Sequence, residues 1–412
     1  MPLVHQLLPV IGFVALFATA AYGALSLTAM LWWRWQAPID APGLREPVTV
    51  LKPLCGAEPG LIDQLRSFCE QDYPRYEIVF GIRDPADPAR LVVEQLAAEF
   101  PGLPLTLVCD SRQHGNNLKV SNLLNMLRRA RHDILLISDS DARVGADYLS
   151  RVTAPLSDPG IGLVTSLYRA ASGTDLWSRL ITMYINEWYA PSVLLARMFG
   201  HRGYASGQTL CLRRRTLEHC GGLEALTDHL AEDHELGARV RRLGLQIVIT
   251  PYPVTCQQHE ATFQSLCQHE LRWLRTLRVL APGSFRWIFV TFCLPLGLAG
   301  LLLCLGTDKV MGAPGSMASR TATALFAVIL ANRLAVHLLH RPGRLHRNLG
   351  DLWLLPVRDL LLLWEWTRVF ANGRVVWRGR EFRVDRSGLL HEMSTDPASS
   401  PLPSPPPEQL AN

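Results

Sequence analysis

Three long apolar stretches lie along the chain, and the region between the first and the second alternates short apolar runs with amphipathic ones. Residues 7–33 contain no charged residue and exceed the roughly 20 residues that a helix needs to cross a bilayer. A second stretch covers residues 287–306, and a third covers residues 321–339 and carries Arg333. The pattern therefore predicts membrane helices near both ends of the chain.

Residues 48–285 alternate between strand-like and helix-like patterns. The strand-like runs are residues 48–51, 77–82, 105–108 and 133–138, and the helix-like stretches are residues 60–70, 88–99 and 118–130. Near-continuous apolar strands separated by helices are typical of an α/β domain with a mainly parallel sheet that is covered on both faces. Ligands of such sheets bind beyond the carboxyl ends of the strands. Functional side chains are therefore expected directly after the strands.

The chain after residue 340 has a different character. Residues 352–370 are apolar but include Arg358, Asp359 and Glu365, and a full crossing there would carry the arginines that follow across the membrane. We therefore expect an interfacial or re-entrant helix. Six prolines between residues 397 and 407 indicate disorder. The sequence thus predicts a membrane helix at residues 1–35, a cytoplasmic domain at 46–285 and two membrane helices at 286–340. An interfacial and basic segment follows at 341–386, and a disordered tail at 387–412.

Charge and composition indicate where the central domain lies. The first six residues have no Lys or Arg, whereas Arg34, Arg45 and Lys52 follow the first apolar stretch. The positive-inside rule then predicts an N-terminus outside the cell and a cytoplasmic domain. A hydrophobic share of 48% excludes a mainly disordered chain. Nine cysteines without a CxxC pair favour reduced thiols over a disulfide scaffold. The bilayer is an expected partner and nucleic acid is not.

Two aspartates follow the strand-like run at residues 133–138. Asp139 and Asp141 are two residues apart, so on an extended segment they point the same way and can share a divalent cation. Carboxylate oxygens suit Mg²⁺ or Mn²⁺, which would bridge a diphosphate and neutralise a leaving group. The alternative is an ordinary solvated turn. Neither a GxGxxG motif nor a P-loop is present, so a dinucleotide-binding domain and an NTPase are not supported.

Asp84 and Asp233 are weaker candidates. Asp84 follows the second strand-like run, where it would accept a hydrogen bond from a base or ribose, although a turn aspartate before proline is common. Asp233 lies at a predicted helix start, in Ala231-Glu232-Asp233. A carboxylate there either interacts with the helix dipole or acts as a general base, and spacing alone favours the first.

Basic and aromatic residues add two further candidates. Arg272 would bind a diphosphate and the adjacent Trp273 would form a pocket wall. Alternatively, both residues would anchor an interfacial helix close to the second span. Lys119 would contact a phosphate, or would be a solvated lysine at a helix start. Only three of the 41 basic residues are lysines, and this scarcity favours a function for Lys119.

In this order, between membrane spans, these motifs resemble the ceramide glucosyltransferase-type enzymes, which are membrane-bound inverting glycosyltransferases with a GT-A fold. The resemblance covers about residues 48–280 and continues more loosely through Trp377-Arg378-Gly379-Arg380. The family pattern is three aspartate motifs followed by (Gln/Arg)-x-x-Arg-Trp. Matching strings are found at residues 50–54, 71–74, 84–88, 206–207, 221–222 and 231–233. The chain departs from the pattern at His269, where the family has Gln or Arg.

The resemblance implies a role for each matching residue. Asp84 would contact the uridine of a UDP-sugar donor, and Asp139 with Asp141 would hold the metal and diphosphate. Asp233 would be the catalytic base. Arg272 and Trp273 would line the donor or acceptor pocket.

The chain further resembles a bacterial branch of that family associated with hopanoid biosynthesis, through residues 54–61, 117–122 and 269–276. This implies a multi-pass protein of the bacterial inner membrane that transfers N-acetylglucosamine from UDP-N-acetylglucosamine to the lipid bacteriohopanetetrol. Three alternatives stay open. They are a ceramide glucosyltransferase that uses UDP-glucose, a polysaccharide synthase, for which three spans look too few, and an inactive nucleotide-sugar-binding scaffold.

Overall fold

A curled eight-stranded sheet forms the centre of the domain between the first and second membrane stretches. The computed structural model describes residues 2–36, 45–312, 314–339, 349–371, 374–377, 380–385 and 387–393. The strands are β1 (Val48–Pro53), β2 (Tyr76–Ile82), β3 (Leu105–Cys109), β4 (Ile134–Ile137), β5 (Ala142–Arg143), β6 (Ile161–Ser172), β7 (Leu210–Arg213) and β8 (Gln246–Gln258), in the order β3-β2-β1-β4-β7-β6-β8-β5. The first four strands are parallel to one another. The predicted α/β fold with a mainly parallel sheet is confirmed.

The sheet is buried on both faces, because alternate residues of its central strands enter two different hydrophobic cores. Val50 and Leu136 pack into one core, while Leu51 and Leu135 pack into the other. All four side chains are fully buried. This two-sided burial is the reason why the parallel strands are continuous apolar runs in the sequence.

Helices cover the two faces and connect the strands. They are α2 (Leu61–Cys69), α3 (Ala89–Glu99), α4 (Leu118–Leu127), α5 (Tyr148–Thr153), α6 (Leu176–Met183), α7 (Ala190–Met198), α8 (Arg214–His219), α9 (Glu232–Arg242), α10 (Phe263–Leu280) and α11 (Pro282–Phe285). A π-helical segment, Tyr184–Tyr189, joins α6 to α7. The three helices that the pattern predicts between the first strands correspond to α2, α3 and α4.

Three helices among the described residues are long and apolar enough to cross a membrane. They are α1 (Pro2–Arg34), α12 (Cys293–Val310) and α13 (Met317–Leu339). Close packing of α1 on α12 depends on small residues. A Cβ on Gly12 would lie 2.7 Å from the carbonyl oxygen of Gly300, and the converse holds for Gly300. Paired small residues are the usual means by which membrane helices approach each other.

The second span differs from the sequence expectation at its start. The expected stretch begins at residue 287, but residues 288–291 form a 3₁₀ turn and the helix begins at Cys293. Phe292 has a non-helical backbone, with φ −86° and ψ 78°. Pro295 then falls in the first helical turn, where the missing N–H of proline costs nothing.

The chain after the third apolar helix returns to the central α/β domain. Helix α14 (Leu354–Ala371) is followed by a three-stranded antiparallel sheet of β9 (Arg374–Trp377), β10 (Arg380–Val384) and β11 (Leu390–Glu392). The sequence places the start of a disordered tail at residue 387, but β11 pairs with β10 beyond that boundary. Residues 340–348, which include the start of the predicted interfacial and basic segment, and residues 394–412 lie outside the described residues.

Candidate active site

Lys119 connects two elements at the carboxyl edge of the parallel strands. It lies in the first turn of α4, and its Nζ is 2.5 Å from Asp139 Oδ1 and 2.7 Å from Glu232 Oε1. Burial by itself lowers the pKa of a lysine, but the Asp139 and Glu232 carboxylates hold the pKa of Lys119 above its ordinary value. The structure therefore places a fixed positive charge between the end of β4 and the start of α9.

Asp233 lies beside this ion pair, in the first turn of α9. Its Oδ2 accepts a hydrogen bond from the backbone N–H of Gly207 at 3.0 Å, and its Oδ1 accepts one from the N–H of His234 at 2.7 Å. Burial and the neighbouring Glu232 raise the pKa of Asp233 to about 6. A carboxylate with such a pKa is ionised at neutral pH and is a stronger base than an exposed aspartate.

Gly207 is the residue that lets these groups meet. Its carbonyl oxygen accepts a hydrogen bond from the N–H of Asp139, while its own N–H binds Asp233. A Cβ at this position would lie 2.5 Å from Asp139 Oδ2 and 2.8 Å from Lys119 Nζ. Only glycine therefore leaves both side chains where they are.

A second lysine supports the segment that carries the two aspartates. Lys52, at the end of β1, is fully buried, donates to the carbonyl oxygen of Asp139 and lies 3.8 Å from the centre of the Phe68 ring. Burial lowers the pKa of Lys52 to about 7, against the opposing effect of Asp141 and Asp139. Burial and Asp139 raise the pKa of Asp141 to about 7, and its Oδ1 is a buried atom with no hydrogen-bond partner among the described residues.

Asp84 lies at the same edge of the sheet, at the end of β2, and is exposed. Its Oδ1 accepts a hydrogen bond from the N–H of Ala86 at 2.9 Å, which is an Asx turn. The contacts described for Asp84 are within its own loop. It is thus near the strand ends, as predicted, but separate from the Lys119 ion pair.

Arg272 and Trp273 belong to a second group on α10, next to the membrane helices. The Trp273 ring is 5.5 Å from the Tyr184 ring and 4.2 Å from the His269 ring, between centroids. His269 Nδ1 is 2.8 Å from Glu260 Oε1, so the residue that departs from the family pattern is held by a carboxylate. Arg272 is half-buried on the same helix.

Two buried arginines attach α10 and the π-helical segment to the membrane-side helices. Arg358 of α14 makes a double hydrogen bond to Glu270, at 2.8 and 2.7 Å, and is 3.3 Å from Glu365. Arg333 of α13 is 2.6 Å from Glu187 and 3.1 Å from Asp359. The charge inside the third span is therefore paired, as charges within membrane segments normally are.

A family model identifies the family to which the chain belongs. The model described as glycosyl transferase family 21 matches residues 12–390. The chain belongs to glycosyl transferase family 21. The match includes the three apolar helices as well as the central α/β domain. The predicted resemblance to ceramide glucosyltransferase-type proteins is confirmed.

Individual relatives agree with the family. Ceramide glucosyltransferase 3 of Caenorhabditis elegans is 23% identical over 310 residues, which are 75% of this chain and 66% of that protein. An N-acetylglucosaminyltransferase of Rhizobium meliloti (strain 1021) is 24% identical over 317 residues, 70% of this chain and 71% of that protein. The chain spans 66% and 50% of the lengths of two C. elegans ceramide glucosyltransferases.

A solved structure supports the fold. A mannosyltransferase from Pyrobaculum calidifontis, in complex with GDP-Man and Mn²⁺, superposes with a TM-score of 0.51 at 23% identity, over 87% of this chain and 99% of that one. At this level of identity the likeness concerns the fold, which in both chains is a curled α/β sheet.

Sequence reasoning on this family 21 chain misses three residues that complete the site. Glu232, Gly207 and Lys52 all touch Lys119, Asp139 or Asp233. The scarcity of lysine in the chain could have indicated a function for Lys52, as it did for Lys119. Glu232 precedes a predicted base and would be taken for a second dipole partner of α9. Nothing in the local sequence indicates that it reaches α4.

Proposed function

We propose that this family 21 protein is a membrane-bound inverting glycosyltransferase that moves a sugar from a UDP-sugar to a hydroxyl group of a lipid. The observation that carries the proposal is the position of Asp233. It is a carboxylate with a raised pKa, fixed by two backbone N–H groups, beside a lysine that is paired with a strand-end aspartate. A base and a fixed cation at one edge of a parallel sheet are the parts that glycosyl transfer requires.

The proposed reaction is a single displacement. Asp233 takes the proton from the lipid hydroxyl, whose oxygen attacks the anomeric carbon. The bond between that carbon and the diphosphate oxygen breaks, UDP leaves with the electron pair, and the configuration inverts. Lys119 and Arg272 supply positive charge for the departing diphosphate. Asp84 is proposed to accept a hydrogen bond from the uridine, and Trp273 to form a wall of the donor or acceptor pocket.

Asp139 and Asp141 fit a divalent cation. The donor set is two carboxylates at a strand end, and the buried Oδ1 of Asp141 has no partner among the described residues, which suits a metal ligand. No group of three or more His, Cys, Asp or Glu side chains among the described residues forms a complete metal site, so the donor diphosphate would supply further ligands. When bound, Mg²⁺ or Mn²⁺ would neutralise charge on the leaving diphosphate.

The lipid nature of the acceptor is supported by the surface of α14. Trp353, which directly precedes α14, and Val357, Leu360 and Trp364 of α14 follow one another at helical spacing and are all exposed. Three charged residues of the helix, Arg358, Asp359 and Glu365, are buried. An apolar outer face next to three candidate spans suits the interface of a bilayer. The cytoplasmic side of a bacterial inner membrane is the proposed location, with the active site facing lipid head groups.

For the substrates we propose UDP-N-acetylglucosamine as the donor and the hopanoid bacteriohopanetetrol as the acceptor. The likeness to a bacterial N-acetylglucosaminyltransferase supports the sugar. A ceramide glucosyltransferase that uses UDP-glucose is the second candidate, favoured by the C. elegans relatives. Mass spectrometry of lipids from cells with and without the protein distinguishes them, because the added mass identifies the sugar and the fragment ions identify the lipid.

The test of the base is the substitution Asp233→Asn. This change keeps the size of the side chain, and the amide oxygen can accept one of the two backbone hydrogen bonds, but the basic carboxylate is lost. Transfer in membranes should therefore fall by about 10² to 10⁴-fold. The matched control is Asp158→Asn, on the exposed turn that precedes β6, which should leave transfer unchanged. Wild-type turnover by Asp233→Asn would refute the assignment, and UDP binding without transfer by the wild type would favour an inactive scaffold.

A further inference from the structure

The three-stranded C-terminal sheet packs against the loop that leads to Asp233. Its own small core consists of Val375, Phe382 and Leu390, and these side chains enclose Leu230 of the catalytic domain. All four are buried. The segment that follows the membrane helices is therefore packed on the catalytic domain through a hydrophobic contact directly before α9.

Backbone hydrogen bonds extend this contact. The N–H of Leu390 donates to the carbonyl oxygen of Asp228 at 2.7 Å, and the N–H of Leu230 donates to the carbonyl oxygen of Gly388 at 3.0 Å. His229 and Leu389 form an antiparallel bridge. Residues 228–230 thus behave as a short additional strand of the C-terminal sheet.

Asn116 ties the same loop to the segment before α4. Its backbone N–H and its Nδ2 both donate to Asp228 Oδ1 at 2.9 Å, and Nδ2 also lies 2.9 Å from the carbonyl oxygen of Leu390. One side chain therefore joins the C-terminal sheet, the loop before α9 and the chain that leads to Lys119.

Asn117 continues the connection into the site. Its Nδ2 donates to the carbonyl oxygen of His229 at 2.9 Å and to Glu232 Oε2 at 3.1 Å, while its Oδ1 caps α4. Glu232 binds Lys119 with its other oxygen. The path from Leu390 to Lys119 thus consists of hydrogen bonds, the peptide bond between Asn116 and Asn117 and an ion pair.

We propose that the C-terminal sheet is a positioning element of the active site, with Asn116 as the residue that transmits its position to Glu232, Asp233 and Lys119. This inference rests on the proposed function. The start of α9 has no cap of its own, since Ala231 cannot supply one. The position of α9 therefore depends on the residues directly before it, and these are held by β11 and Asn116.

The active site therefore depends on a segment that follows the membrane helices in the sequence. Only two residues separate Leu230, which is bound to the C-terminal sheet, from Asp233. A shift of the loop is transmitted over that short distance to the base. A misplacement of about 1 Å can lower a rate by about 10²-fold, even where no reacting group is lost.

The test compares three variants of the full chain in membranes. Asn116→Ala removes the link, and Phe382→Ala empties the core of the C-terminal sheet. Arg383→Ala is the control, because Arg383 is exposed on the same strand. We expect the first two to lower kcat by about 10- to 100-fold with little change in the KM for the UDP-sugar, and the control to match the wild type. Hydrogen exchange should accelerate at residues 227–233 in the first two only.

A reciprocal exchange separates positioning from general loss of structure. In the single variant Asn116→Asp, the new carboxylate faces that of Asp228, and the two negative charges repel each other. This variant should be less active than Asn116→Ala. Combining it with Asp228→Asn removes one of the two facing carboxylates and should recover part of the kcat that Asn116→Asp loses. Recovery should be partial, because an aspartate at position 116 cannot donate to the carbonyl oxygen of Leu390. Absence of recovery would overturn the inference even if the single variants are inactive. Wild-type kcat and wild-type exchange in Asn116→Ala would also overturn it, while an inactive wild type would refute the proposed function instead.

Discussion

Asp233 is subject to two electrostatic effects of opposite sign. Glu232 raises its pKa, and Lys119 lowers it. Since a base must be ionised to act, transfer should rise with pH through about 6 in the wild type. Glu232→Gln should move this acid limb to lower pH, and Lys119→Met should move it to higher pH.

The measurement is kcat/KM for the UDP-sugar as a function of pH, since this ratio reports the pKa values of the free enzyme. Lys119→Met should also lower the maximum rate, because Asp139 and Glu232 lose their shared cation. Glu235→Gln serves as the control, because Glu235 pairs with Arg239 and Arg242. An acid limb that does not move in either variant would contradict the role of Asp233 as the base.

Gly207 provides a second test with a single methyl group. Gly207→Ala would force Asp139 Oδ2 and Lys119 Nζ to move, and both are the ends of side chains. The fold should therefore persist while transfer falls by about tenfold or more. Gly102→Ala, where nothing lies within 4 Å of the added atom, is the control. Transfer assays together with thermal unfolding check this, and equal activity of the two variants would contradict it.

The residues of the site were predictable to different extents. Strand-end aspartates follow from the apolar runs that precede them. For Asp233, spacing alone favours a dipole role, and only the family resemblance implies a catalytic base. Glu232 and Gly207 were not predictable from spacing, because their contacts depend on α4, α9 and the loop before β7 meeting in space. Such proximity between distant segments leaves no periodic signal along the chain.

Helix α14 buries three of its charged residues, Arg358, Asp359 and Glu365, and exposes the large apolar residues Leu360 and Trp364. Arg358 lies between Glu270 of α10 and Glu365 of its own helix, with both carboxylates fully buried. Removing one member of a buried ion pair typically costs about 3–5 kcal/mol, because the remaining charges stay buried without a partner. Arg358→Met should therefore destabilise the protein by about this amount.

Thermal unfolding in detergent micelles measures this effect. Arg368→Ala is the matched control, since Arg368 is exposed on the same helix. A double variant that also contains Glu270→Gln should recover part of the lost stability, because one unpaired charge is removed. Equal unfolding temperatures for Arg358→Met and the control would show that the buried pair does not hold α10 against α14.

Strands β6 and β8 show why the second half of the sheet was harder to predict. Strand β8 contains Pro251, which interrupts the apolar pattern of a strand. The register between β6 and β8 shifts between Ser166 and Tyr168, and Pro251 falls in this irregular part of β8. The β-bulge accommodates this proline, but the bulge can be recognised only when the partner strand is known.

The proposed orientation of the whole molecule is testable through its own thiols. Cys55 and Cys109 are exposed on the catalytic domain, and the other seven cysteines are buried. If the domain is cytoplasmic, a membrane-impermeant maleimide should leave both thiols unmodified in intact spheroplasts and label them after permeabilisation. The double variant Cys55→Ser with Cys109→Ser identifies background labelling. Labelling in intact spheroplasts would contradict the orientation.

The general architecture was predictable because burial leaves a strong signal. Long uncharged stretches indicate α1, α12 and α13, and apolar runs indicate the parallel strands. The return of the C-terminal sheet to the loop before α9 was not predictable, because it pairs segments about 160 residues apart through backbone groups that every sequence has.

The three lysines of the protein differ in their exposure, so they should react at different rates with a lysine-modifying reagent. Lys52 is fully buried, Lys119 lies in the site with its pKa raised, and Lys309 is exposed at the end of α12. An acetylating reagent applied to the folded protein would modify the Lys309 side chain rapidly and the Lys119 side chain slowly. Occupancy of the site then becomes readable as protection of one peptide in a mass spectrum, with a second peptide of the same chain as internal standard.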